Sequence, residues 1–134
     1  MTNFTFSTTR TIINEAGAAR RLATICEEQG ARSVMLVTDE GIIGAGLLER
    51  ILPSFQQSAL QLTVFKDVEA DPSDTTVMAA TEAARRANVD YVVGFGGGSS
   101  MDVAKLVALL AHPQCKQPLS DMYGVGNARG VRLP

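Results

Sequence analysis

Three consecutive glycines, Gly96 to Gly98, separate a β-like run, Asp90 to Phe95, from an apolar helix-like run that ends near Ala111. Glycine loses more backbone freedom on ordering than any other residue, so three in a row are costly unless the chain needs bare backbone there. This strand–glycine–helix junction constrains the fold more than any other feature. In parallel sheets, ligands sit beyond the carboxyl ends of the strands. The following helix, expected to begin near Ser100 or Met101, aims its free N–H groups and its positive dipole end at that spot. An anion, most naturally a phosphate, suits it, and Gly96 to Ser99 would let oxygens approach with no Cβ in the way. Ser99 and Ser100 add hydroxyl donors and candidate caps.

The junction is not a Walker A loop, because no Lys-Ser/Thr pair closes it and Lys105 lies a turn or more into the helix. It matches half of a dinucleotide fingerprint. Gly94-x-Gly96 fits, but Ser99 stands where a third glycine belongs, and the loop follows a late strand. A tight turn with no ligand is the alternative. Asp102 falls in the expected first turn, where the dipole favours a carboxylate by roughly 0.3–1 kcal/mol. It either serves that purpose alone or faces a ligand, and Lys105 shares its face and can pair with it.

The rest of the chain supplies the frame. Residues 15–29 read as a helix with Ala19, Leu22, Ala23 and Cys26 in one stripe and Gly30 beyond its end. Ser33 to Thr38 is a continuous β-rich run, as for a strand buried on both faces, and it stops at Asp39-Glu40-Gly41. A helix over Leu47 to Phe55, with Pro53 near its end, precedes a strand over Leu60 to Phe65. The turn Ala70 to Asp74 feeds a helix over Thr76 to Ala87, capped by Ser73 or Asp74, with Val77, Ala80 and Ala84 inward and Asn88 ending it. Strands and helices thus alternate every ~25 to 30 residues, which predicts an α/β fold: a Rossmann-like parallel sheet with helices on both faces. The stretch after Ala111 reads as a loop that reaches Pro134 without a stabilising element, as expected either of a piece of something longer or of an ordinary frayed tail.

Composition narrows the function. The formal charge is -2, and Arg20-Arg21 and Arg85-Arg86 are short pairs on helix faces, so no basic footprint for nucleic acid is expected. Cys26 and Cys115 show no C-x-x-C spacing, which fits a reduced, cytoplasmic protein. The N-terminus has no apolar stretch of a signal peptide, and no run approaches the about 20 apolar residues of a membrane span.

The segment GFGGGSSMDVAK, Gly94 to Lys105, resembles the signature of the iron-containing (group III) alcohol dehydrogenase family. MLVTDEG (Met35 to Gly41), VEADPSDTTV (Val68 to Val77) and LSDMYGVG (Leu119 to Gly126) resemble further stretches of it, so the likeness covers essentially the whole chain. The resemblance implies that residues 1–134 are the amino-terminal nucleotide-binding domain of a two-domain enzyme. That enzyme would transfer hydride between a small alcohol or aldehyde and NAD. Gly97, Gly98 and Ser99 match the positions that hold the pyrophosphate, and Asp102 an aspartate near the nicotinamide end. Asp39 matches the residue, at the end of the family's second strand, that meets the adenosine ribose. Asp71 stands where many members carry Asn beside the adenine. At the family's first strand the chain departs, reading IINEAGA from Ile12 to Ala18.

The same resemblance implies a metal, Fe2+ or Zn2+, held by one Asp and three His of a helical second domain. His112 is the only histidine here, and an exposed residue favouring a helix dipole accounts for it. No catalytic residue and no metal ligand is therefore assigned in this chain, which by itself is expected to lack dehydrogenase activity. NAD is expected over NADP. Asp39 would face the 2′-phosphate, and two unit charges ~4 Å apart repel by about 4 kcal/mol at an effective dielectric near 20. Dimerisation, common in such enzymes, has no signal of its own in these residues. A glycerol dehydrogenase-like or dehydroquinate synthase-like enzyme, and a non-catalytic nucleotide-binding module, are the alternatives.

Overall fold

The computed structural model describes residues 2–134. Three strands, β1 (Ser33–Val37), β2 (Gln61–Phe65) and β3 (Tyr91–Gly94), form a parallel sheet in the order β2-β1-β3. Val34 lies opposite Leu62 on one side and Tyr91 on the other, and Val37 opposite Phe65 and Gly94. Five helices accompany them: α1 (Leu22–Glu28), α2 (Glu40–Gly44), α3 (Leu47–Gln56), α4 (Asp74–Arg86) and α5 (Gly98–Leu110).

β1 sits in the middle because it alone is apolar on both faces, and all five of its residues are buried. Val34 and Leu36 pack with Ala23, Cys26, Ile51 and Phe55 of α1 and α3. Met35 and Val37 face the other way, into a larger cluster with Val77, Ala80 and Ala84 of α4 and Val103 and Val107 of α5. The period of two therefore splits one strand between two helical layers. Each fully buried Val, Leu or Met there contributes about 1.5–3 kcal/mol over leaving it exposed.

Local chemistry sets the helix ends. Ser73 caps α4 by accepting the Thr76 amide on its hydroxyl at 3.2 Å. Asn88 follows α4 with φ +49, a left-handed conformation that asparagine tolerates. α5 ends with its last four carbonyls all occupied. The Val107 oxygen accepts from the Ala111 amide and the Leu109 oxygen from His112. The Leu110 oxygen accepts from the Arg85 guanidinium at 2.9 Å. The Ala108 oxygen accepts from the Leu133 amide at 2.8 Å, far along the chain.

Several expectations need correction. The segment expected to be helical from residue 15 forms a 3-10 turn over Ala18–Arg21 before α1 opens at Leu22, and Ala19 is exposed. α2 was not foreseen; Asp39 creates it by capping. α5 opens at Gly98, two to three residues before the expected start. Ile12 to Ala18 forms no strand, and Ile12 and Ile13 are exposed. The last stretch is anchored rather than free: Leu119 and Met122 are buried, and the Pro134 carbonyl accepts the Val92 amide at 2.8 Å. Among the described residues, no helix is long and apolar enough to cross a membrane.

Candidate dinucleotide site

From β1 the chain goes to β2 on one side, and after α4 it returns as β3 on the other. The carboxyl ends of β1 and β3 therefore lie at the point where the strand order reverses, the place where open α/β sheets bind ligands. Two bonds join those ends. The Phe95 amide donates to the Val37 carbonyl at 2.8 Å, and the fully buried Thr38 hydroxyl donates to the Phe95 carbonyl at 2.7 Å. Thr38 was missed in the sequence, where it reads as the last residue of a strand.

Asp39 follows with extended backbone and caps α2, its Oδ1 accepting the Ile42 amide at 3.0 Å. Its Oδ2 accepts the Ser100 hydroxyl at 3.1 Å. Two glycines make room for this carboxylate. A Cβ on Gly41 would sit 3.0 Å from Oδ1, and one on Gly96 would sit 3.0 Å from both Oδ2 and the Ser100 Oγ. Asp39 thus follows the first strand of this structure, not the second, because Ile12 to Ala18 is not a strand.

The glycines after β3 divide their work. Gly94 lies against α5, Gly96 against Asp39, and Gly97 and Gly98 face open space with nothing within 4 Å of a built Cβ. Gly97 is the N-cap of α5 and offers no side-chain cap, and the Met101 amide opens the helical ladder by donating to the Gly97 carbonyl at 3.1 Å. The first amides of the helix have no partner within it. They border a cavity of about 350 Å3 whose walls include Asp39, Glu69, Gly97, Gly98 and Ser99. No Lys or Arg is among its lining residues, so an anion there would be held by amides, hydroxyls and the helix dipole.

Because α5 begins early, Ser100 is fully buried inside the helix, and its hydroxyl serves Asp39 rather than a cap. For the same reason Asp102 lies beyond the first turn, where the dipole argument fades. It pairs with Lys105 at 3.3 Å, both side chains largely exposed. Asp71 has φ +50, a left-handed backbone that Asp and Asn tolerate better than other side chains, so the turn alone accounts for an Asp or Asn there. Asp71 and Asp102 line a second cavity of about 310 Å3 with Pro72 and Leu106.

Glu69 holds the turn that carries Asp71. Its carboxylate accepts from the Thr76 hydroxyl at 2.6 Å and the Ser73 amide at 2.8 Å, and these bonds, Thr76 first, hold its pKa below the ordinary 4.5. The E-x-x-x-S-x-x-T spacing was the only sign of it in the sequence.

Another cavity, of about 610 Å3, lies at the opposite end of the sheet beside Arg32 and Asp90. There Asp90 serves the fold by accepting the Arg32 and Ser33 amides, each at 3.0 Å. Among the described residues, no group of three or more His, Cys, Asp or Glu could hold a metal. His112 is half-buried, and its Nδ1 accepts the Gln114 amide at 3.1 Å, so the ring closes a local turn.

Comparison with known proteins identifies the family and the fold. The family model described as iron-containing alcohol dehydrogenase matches residues 9–133. NAD-dependent methanol dehydrogenase from Bacillus methanolicus is 33% identical over the whole chain, which covers 34% of that enzyme. 4-Hydroxybutyrate dehydrogenase from Cupriavidus necator is 40% identical over 95 residues, 71% of this chain and 24% of that one. Among solved structures, NADH-dependent butanol dehydrogenase A from Thermotoga maritima superposes with a TM-score of 0.76 at 27% identity, covering 84% of this chain and 28% of that one. Sulfoacetaldehyde reductase from Bifidobacterium kashiwanohense in complex with NAD+ gives 0.70 at 31%, covering 82% and 28%. The chain spans only 24% to 34% of the length of these relatives.

Proposed function

Because this chain belongs to the iron-containing alcohol dehydrogenase family, we propose that it is the cofactor-holding part of an NAD-dependent, metal-dependent dehydrogenase of a small alcohol or aldehyde. The observation that carries this reading is the uncapped start of α5, which opens on a cavity walled on its other side by Asp39. Names of two relatives support the cofactor, one described as NAD-dependent and one bound to NAD+.

The residues fit a dinucleotide. The bare amides of Gly97, Gly98 and Ser99 would hold its diphosphate. Asp39, with one lone pair spare on each oxygen, would accept both hydroxyls of the adenosine ribose. Asp71 and Asp102 share a cavity, so both are assigned to the half of the ligand beyond the diphosphate. When bound, the nicotinamide supplies the hydride acceptor; these residues contribute orientation, holding it at a fixed place relative to the sheet. The described residues do not fit the family's metal, and no step is assigned to it here.

Titration of the chain with NAD and NADP, followed by amide NMR shifts, tests the reading. The wild type is expected to bind NAD more tightly, with the largest shifts at Gly97, Gly98 and Ser99, and Asp39→Gly to narrow the preference. No shift with either dinucleotide would refute it.

A further inference from the structure

We propose that Ser100 is a positioning residue for cofactor choice: its buried hydroxyl clamps the Asp39 carboxylate to α5, so the ribose-reading and diphosphate-reading groups move as one body. The inference rests on the dinucleotide reading and adds a residue to it.

Four observations converge on this bond. Ser100 is fully buried two residues inside the start of α5, on the wall of the cavity that Asp39 also lines. That hydroxyl donates to Asp39 Oδ2 at 3.1 Å. The other oxygen is held independently by the Ile42 amide at 3.0 Å, so the carboxylate plane is fixed from two directions. Gly41 and Gly96 close in on the two oxygens, each leaving 3.0 Å where a Cβ would be, so the carboxylate has little room to swing.

The consequence follows from the chemistry of the ligand. Its ribose and its diphosphate are joined by a short covalent link, so their readers must keep a matching separation. Asp39 stands at the end of β1, and Gly98 opens α5. Ser100 belongs to the same rigid helix as Gly98 and ties it directly to Asp39. Preorganising both readers lowers the cost of binding a ligand that fits. It also denies the carboxylate a retreat when a 2′-phosphate arrives, so the like-charge repulsion is felt in full. Without the Ser100 hydroxyl, Oδ2 loses its donor and Asp39 can turn aside.

The test measures the ratio of NADP to NAD dissociation constants by the same NMR titration in four chains: wild type, Ser100→Ala, Asp39→Asn and the double variant. Losing one hydrogen bond to a charged group is expected to shrink the ratio by about tenfold or more in Ser100→Ala. In the Asp39→Asn background, where no charge opposes the phosphate, Ser100→Ala is expected to change the ratio by less than about twofold. Ser100→Cys, of similar volume but a weaker donor, is expected to fall between wild type and Ser100→Ala, and it replaces Ser100→Ala if that chain does not fold. An unchanged ratio in the Ser100 variants, with the wild type still preferring NAD, overturns the inference and leaves the dinucleotide reading standing. An equal drop in both backgrounds also overturns it, since Ser100 would then not act through Asp39. A wild type that binds neither dinucleotide removes both.

Discussion

A methyl group on Gly94 would lie 3.0 Å from the Met101 Cα and 3.2 Å from the Ala104 Cβ, so β3 and α5 touch nearly backbone to backbone. Gly94→Ala is therefore expected to destabilise the fold by about 1–3 kcal/mol, because neither neighbour is a side-chain tip that can move aside. Gly97→Ala makes the opposite case. Its φ of -83 suits any residue, and its Cβ would meet nothing within 4 Å. Thermal unfolding is expected to be nearly unchanged, while dinucleotide affinity falls because the new methyl stands in the approach to the amides. Melting curves and titrations on both variants separate the two roles.

Thr38→Val keeps the shape of a buried side chain and deletes the donor to the Phe95 carbonyl. The expected loss is about 1–3 kcal/mol in denaturant unfolding, the cost of an unsatisfied buried acceptor. Thr38→Ser keeps the hydroxyl and is expected to lose less.

Glu69 brings a pH dependence with a definite sign. Its hydrogen bonds to Thr76 and Ser73 lower its pKa in the folded state, below the ordinary 4.5. Stability from this group is thus fully present above about 4.5, and it is lost as pH falls from there through the lowered folded value. The protection factor of the Ser73 amide, taken against its intrinsic exchange rate at each pH, is expected to fall over that acid range in the wild type. In Glu69→Gln the protection factor is expected to carry no such acid-dependent step.

The two thiols are expected to differ sharply in reactivity. Cys26 is fully buried, and that burial, helped by the neighbouring Glu27 charge, raises its pKa to about 11. Only a thiolate attacks, so Cys26 is expected to resist alkylation at neutral pH until the chain unfolds. Cys115 is partly exposed and is expected to react first. Mass spectrometry after timed iodoacetamide treatment, with and without denaturant, checks the order. The same shift makes Cys26 a source of alkaline sensitivity. The stability it lends is complete below its unfolded value of 9.0 and is lost as pH rises through about 11.

The parts legible in the sequence were those set by local pattern. The buried run Ser33 to Thr38, the stripe Val77, Ala80 and Ala84, the Ser73 cap and the glycine junction each announce themselves within a few residues. What stayed hidden depends on partners far along the chain. Ser100 and Asp39 are 61 residues apart, and Thr38 and Phe95 are 57. Nothing near Ser100 distinguishes a hydroxyl turned toward a strand end from one that caps a helix. The start of α5 was placed late because glycine's low helix propensity argued against Gly98, and the surrounding tertiary contacts outweighed it. Asp102 was misplaced with it. The anchoring of Leu133 and Pro134 was equally silent, since it runs through backbone groups that every residue carries.

Of the three strands, β1 alone sends fully buried residues into both apolar layers, and those layers have no buried residue in common. Each layer therefore packs on its own face of one strand, and all five residues of that strand are buried. Asp39 hangs one residue past the end of that buried run, at Thr38. In the proposed reading, the ribose-reading carboxylate is thus rooted in the buried central strand while it works at the rim.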